Sequence, residues 1–127
     1  MAESKKYEIT VVPRATYLGD QSDPSRNQYA FAYTITVTNT GTVPAQLLSR
    51  HWIITDSDNN VQEVKGIGVV GQQPLLKPGE SFEYSSGASL ATAVGTMRGT
   101  YQMMAEDGHA FDAVIPMFTL SVPRVLH

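Results

Sequence analysis

The 127 residues include no cysteine and one tryptophan, are 42% hydrophobic and 17% charged, and carry a formal charge of −3 from nine Lys and Arg against twelve Asp and Glu. The missing cysteine excludes a disulfide scaffold, thiol catalysis, an iron–sulfur cluster and any zinc site using Cys. The acidic excess, with basic residues placed singly apart from Lys5-Lys6, offers no stripe along which nucleic acid could be tracked. Residues 1–127 are expected to form a single domain, long enough to hide about two thirds of the surface an unfolded chain exposes. The polar start, Met1-Ala2-Glu3-Ser4-Lys5-Lys6, and the want of any eighteen-residue apolar run predict a cytoplasmic protein with neither signal peptide nor membrane span.

In chain order, Tyr7, Ile9 and Val11 set a period of two that predicts a first strand, and residues 19–28 read as a polar loop. Tyr17, beside that loop, is expected to be exposed. Residues 29–37, Tyr-Ala-Phe-Ala-Tyr-Thr-Ile-Thr-Val, place large apolar groups at every odd position, the pattern of a strand with one buried face. After a turn at Asn39-Thr40-Gly41, residues 47–55 carry apolar groups on both sides, Leu47 and Ile53 on one and Leu48, Trp52 and Ile54 on the other. That predicts a central strand with Trp52 in the core. Further strand phases appear at Phe82 and Tyr84, at Met97, Tyr101 and Met103, at Phe111, Ala113 and Ile115, and at Phe118, Leu120 and Val122. Turn residues separate them at Asp58-Asn59-Asn60, Lys77-Pro78-Gly79 and Asp107-Gly108, the last predicted as a type I′ hairpin turn. No helical period is sustained. The pattern predicts an all-β, immunoglobulin-like or fibronectin type III-like antiparallel β-sandwich.

Gly66-Ile67-Gly68-Val69-Val70-Gly71 is a formal G-x-G-x-x-G. A dinucleotide site needs a helix to follow, and Gln72-Gln73-Pro74-Leu75-Leu76-Lys77-Pro78-Gly79 cannot open one; no acidic residue for a ribose lies about twenty positions on. Two readings of the loop stay open: glycines serving tight turns or bulges, or amides forming an anion nest beside Lys65 or Lys77. Asp56-Ser57-Asp58-Asn59-Asn60 begins like a calcium loop, but Val61 and Ile67 stand where the Gly and the bidentate Glu are required. His51, His109 and His127 belong to no ligand pair at metal-binding spacing, and no G-x-S-x-G elbow is present. Metal, cofactor and catalytic residues are therefore expected to be absent.

The chain resembles the bacterial ApaG family over nearly its whole length. The resemblance rests on Gln21-Ser22-Asp23-Pro24, Phe31-Ala32-Tyr33-Thr34-Ile35, Asn39-Thr40-Gly41-Thr42-Val43-Pro44-Ala45-Gln46-Leu47, Ser49-Arg50-His51-Trp52-Ile53-Ile54-Thr55-Asp56, the glycine loop with Gln72-Gln73-Pro74, Pro78-Gly79-Glu80, Phe82-Glu83-Tyr84, Gly95-Thr96-Met97-Arg98-Gly99 and Val122-Pro123-Arg124. It implies a fibronectin type III-like sandwich, a link to cobalt and magnesium resistance, and no settled activity. Similar domains in eukaryotic F-box proteins imply protein binding. Comparison with pyrophosphate-binding motifs carries over only to Gly66, Gly68 and Gly71.

Two functions follow as expectations. The first is a small non-enzymatic cytosolic module that holds another protein, using Val69, Val70, Leu75 and Leu76 as an apolar patch. The alternative is a sensor of a phosphorylated nucleotide or pyrophosphate at Lys65, Gly66, Gly68 and Gly71. Phosphate-ester hydrolysis is the least favoured.

Overall fold

A computed structural model describes residues 5–123; His127 and Arg124 lie outside the described residues. Eight strands run β1 (Ile9–Tyr17), β2 (Tyr29–Asn39), β3 (Ala45–Asp56), β4 (Val61–Ile67), β5 (Leu75–Leu76), β6 (Ser81–Leu90), β7 (Val94–Ala105) and β8 (Ala110–Ser121), with two single 3₁₀ turns in the loop after β1. All pairings are antiparallel, and they build a sandwich of two unequal sheets. One sheet has the order β1-β2-β6; the other has the order β4-β3-β7-β8, with β5 added to β3 past the end of β4.

The alternation in β2 buries Phe31, Tyr33, Ile35 and Val37 against the larger sheet. Trp52, on β3, is 2% exposed. It meets Tyr33, Phe118 and Tyr101 with ring centroids 5.4, 5.9 and 6.5 Å away, mostly edge-on. Across the core, the hydroxyls of Tyr84 on β6 and Tyr101 on β7 share a buried hydrogen bond that joins the sheets. Burial pushes both phenols well above their ordinary pKa. The one buried polar residue among those described, Asn39, donates to the carbonyls of Val43 and Leu76 and accepts from the Gly41 amide, which fixes the crossing from β2 to the other sheet.

Several local expectations are corrected. A bulge at Leu48 shifts the β3–β7 register between Leu47 and Ser49, so Leu47 joins Trp52 and Ile54 inside while Leu48 and Ile53 are only half-buried. The phases of Phe111 and Phe118 belong to one strand, β8, whose register with β7 shifts around Pro116 and Met117. The Asp107-Gly108 turn is not type I′. Gly108 alone has positive φ, Gly108 N–H donates to Ala105 O and Ala105 N–H to His109 O, which makes a three-residue loop closed by a glycine bulge. The loop at Asp56–Asn60 repeats that geometry with Asn59 in the left-handed position. Tyr17 is half-buried, its ring 5.5 Å from that of Phe31.

Candidate functional site

The glycine loop continues β4 past the bulge in β3. Leaving Leu48 without a ladder partner frees its carbonyl, and the loop supplies two donors, Gly68 N–H at 2.8 Å and Gln73 Nε2 at 2.9 Å. Val69 and Gln72 exchange both backbone hydrogen bonds, Val70 and Gly71 between them have φ of 43° and 80°, and the result is a two-residue turn of type I′ geometry. The turn expected at Asp107-Gly108 thus occurs at Val70-Gly71. Glycine is ordinary there, but a β-branched residue at positive φ is strained, by roughly 1–2 kcal/mol. Val70 is that residue, and its side chain is 55% exposed.

Each glycine has a local structural reason. At Gly66 a Cβ would stand 2.7 Å from the Arg50 guanidinium, which crosses there so that Nη1 can donate to Gly68 O at 2.8 Å and Ile67 O at 3.2 Å. At Gly68 the positive φ and the Gln72 carbonyl, 2.3 Å from any added Cβ, both demand glycine. Gly71 serves the turn. The amides of Gly68 and Val69 are engaged. Alternation along the β3–β4 ladder turns the Gly66 amide toward Arg50 as well. The amides of Gly66, Gly68 and Val69 are therefore used within the fold and are not offered to an anion.

Lys65 and Gly66 line a cavity of about 480 Å³ on the β4 side, together with Ser49, Arg50, His51, Ile67 and Gln102. Apart from Lys65 and Gly66, none of these residues was assigned to a site by sequence reading; Arg50 and His51 are the basic ones among them. Arg50 was hidden because its approach to the loop carbonyls depends on the pairing of β3 with β4, which brings Gly66 beside it. The cavity holds nothing like a catalytic triad. His51 Nε2 lies 3.2 Å from Glu63 Oε1, whereas Ser49 Oγ donates to Gln102 Oε1 at 2.8 Å rather than to the imidazole. No group of three His, Asp or Glu side chains suited to a metal ion occurs among the described residues. Gly68 and Gly71 do not line this cavity.

The four apolar loop residues separate. Val69 and Leu76 are core residues. Val70 and Leu75, the latter 58% exposed, face out, and Ile67 is 79% exposed. Register places Ile67 opposite Ser49 and Leu75 opposite Gln46 along the same edge of β3. No helix among the described residues is long and apolar enough to cross a membrane.

Residues 19–105 match the profile of the ApaG domain. The chain is 69% identical to Protein ApaG of Thiobacillus denitrificans and 63% identical to Protein ApaG of Dechloromonas aromatica, in both cases over 127 residues and the whole of each chain. Its fold is similar to the crystal structure of a Bordetella pertussis protein called ApaA, with a TM-score of 0.93 and 57% identity, covering 97% of this chain and 100% of the other.

Proposed function

The chain belongs to the ApaG family, and from that premise we propose that it is a non-enzymatic protein-interaction module of the cytoplasm, tied to cobalt and magnesium physiology through the partner it holds. The observation that carries this reading is the apolar rim of the glycine-loop end. Ile67, Val70 and Leu75 are all more than half exposed, and Val70 keeps an unfavourable backbone conformation in an exposed turn. An apolar side chain held outward at a cost to stability suits a contact with another molecule better than it suits the fold.

The test uses Val70→Ser combined with Leu75→Ser. A partner captured from cells by the wild-type chain is purified and its affinity measured for both forms. The expected result is at least a tenfold weakening with an unchanged melting temperature. Equal affinity for the two forms overturns the reading.

A second reading has its own support. His51 and Lys65, paired across the β3–β4 ladder, put two basic side chains on one face of the cavity beside Gly66, and a phosphorylated nucleotide or pyrophosphate would meet these side chains rather than backbone amides. Amide spectra recorded with pyrophosphate, ATP and diadenosine tetraphosphate, with and without Mg²⁺ or Co²⁺, test it. Saturable shifts around Lys65 and Gly66 support it, and silence at millimolar ligand ends it.

A further inference from the structure

Apart from the two-residue β5, the two sheets differ by one strand, and the difference falls at one place. β6 ends its sheet and β4 ends the other. Val64, opposite Trp52 on the inward side of β4, remains 39% exposed. The gap is a cleft of about 360 Å³ lined by Tyr33, Trp52, Val64, Ser86, Ala88 and Arg50, among others.

Four sheet edges can be compared. β1 carries Pro13 and Arg14, β4 carries Glu63 and Lys65, and β8 carries Asp112, Pro116 and a register shift. These are the usual devices that stop an edge from recruiting another strand. From Tyr84 to Leu90, β6 has no charge, no proline and no bulge. The Asn39 N–H donating to Glu80 O sets the phase of the β2–β6 ladder, so Ser85, Gly87 and Ser89 turn their amides and carbonyls toward the open side.

Two residues lining the cleft hold donors without an acceptor among the described residues. Trp52 Nε1 is buried with no hydrogen-bond partner. Arg50, the one charged side chain lining the cleft among the described residues, uses only Nη1, on the loop carbonyls. A buried donor without an acceptor is uncommon in folded proteins and asks for an explanation.

We propose that this cleft is a docking site for an extended segment of a partner protein, which pairs with β6 as a fourth strand over β4. Its inward side chains are apolar against Trp52 and Val64, with one carboxylate placed to accept from Arg50. Main-chain hydrogen bonds supply affinity in this mode, and the alternate side chains supply selectivity. The site shares Arg50 with the glycine-loop end but does not rest on the function proposed for that end.

The test begins with a display library of random twelve-residue peptides selected against the whole chain and counter-selected against Gly87→Pro. A proline at Gly87 removes one outward amide, and an added Cβ there has ordinary space, the nearest atom being Phe31 O at 3.6 Å. Selected peptides are expected to alternate apolar residues with at least one Asp or Glu. Each should move the single tryptophan indole resonance and the amides of Ser85, Gly87 and Ser89 saturably. Affinity should fall more than tenfold in Gly87→Pro, and by as much when alternate peptide nitrogens are methylated, a control that needs no protein variant. Val70→Ser with Leu75→Ser should bind the same peptides as the wild type. A library that yields no peptide moving these resonances overturns the proposal. So do selected peptides that bind equally after N-methylation, and concentration-dependent shifts at β6 without peptide, which assign the edge to a second copy of the chain. Equal binding of Lys-for-Glu peptides overturns the acidic requirement.

Discussion

Along one side of the sandwich, β1 packs closely against β8, and the rings of Tyr7, His109 and Phe111 close the end, with Tyr7 and His109 stacked at 4.0 Å. Along the other side β4 and β6 stand apart over a cleft lined by Trp52, whose buried indole N–H has no acceptor. The same alternating chemistry built both sides. What differs is that the closed side pairs or covers its strands, while the open side leaves a backbone edge, an unused donor and a strained valine at the neighbouring loop. Stability and availability are therefore separated within one small fold, a division expected where binding elements are carried on a rigid scaffold.

Truncation on the closed side should have the largest effect. Leu120→Ala, at a fully buried position of β8, should cost about 2–5 kcal/mol in denaturant unfolding. Next comes the bond that ties the sheets. Tyr84→Phe strands the Tyr101 hydroxyl in the core and should cost about 1–3 kcal/mol, whereas Tyr84→Phe with Tyr101→Phe should be closer to neutral. The same pair predicts an alkaline limit. Because folding raises both phenol pKa values, their contribution is complete below the unfolded value of about 10 and is lost as the pH climbs above it, since only the unfolded chain then ionises freely. Melting temperatures from pH 9 to 11 should fall less steeply in the double variant. An equal fall would mean that the two phenols are not the groups that titrate.

On the open side the effects should be smaller, and one has the opposite sign. Val70→Asn suits a type I′ turn and should raise stability by about 1 kcal/mol; a loss would show that Val70 makes a packing contact after all. Val64→Ala, removing methyl groups from a position that is already 39% exposed, should cost about 1 kcal/mol or less. If Val64→Ala proved as damaging as Leu120→Ala, the two sides would not differ in the way described.

The strands were legible because a period of two survives in the sequence wherever one face is buried, as in Phe31, Tyr33, Ile35 and Val37. Trp52 at the centre was legible for the same reason. The bulge at Leu48 was not, since an extra residue leaves no mark except a change of phase that can be read equally well as a strand apolar on both sides. That single residue reversed the placement of Leu47. The glycines were visible as a motif, but their roles depend on Arg50, Leu48 and Gln72, which are brought in by pairing and not by local sequence. Turn type was misplaced because Asp-Gly is a strong signal taken alone, while Val70 is a residue no turn rule selects. The open edge of β6 could not be read at all: Tyr84 to Leu90 looks like any strand until the topology shows that nothing lies beside it.

The strand order also sets a schedule for the growing chain. β2 can pair with β1 as soon as both have left the ribosome, but its other partner, β6, begins at Ser81, some forty residues after β2 ends at Asn39. At roughly 5–20 residues per second that is an interval of about 2–8 s. Throughout it, β2, which carries Phe31, Tyr33, Ile35 and Val37, has only one neighbour in its sheet. A chaperone that binds short apolar strands would find the free edge of β2 from Phe31 to Val37 available then, and paired from the moment β6 arrives.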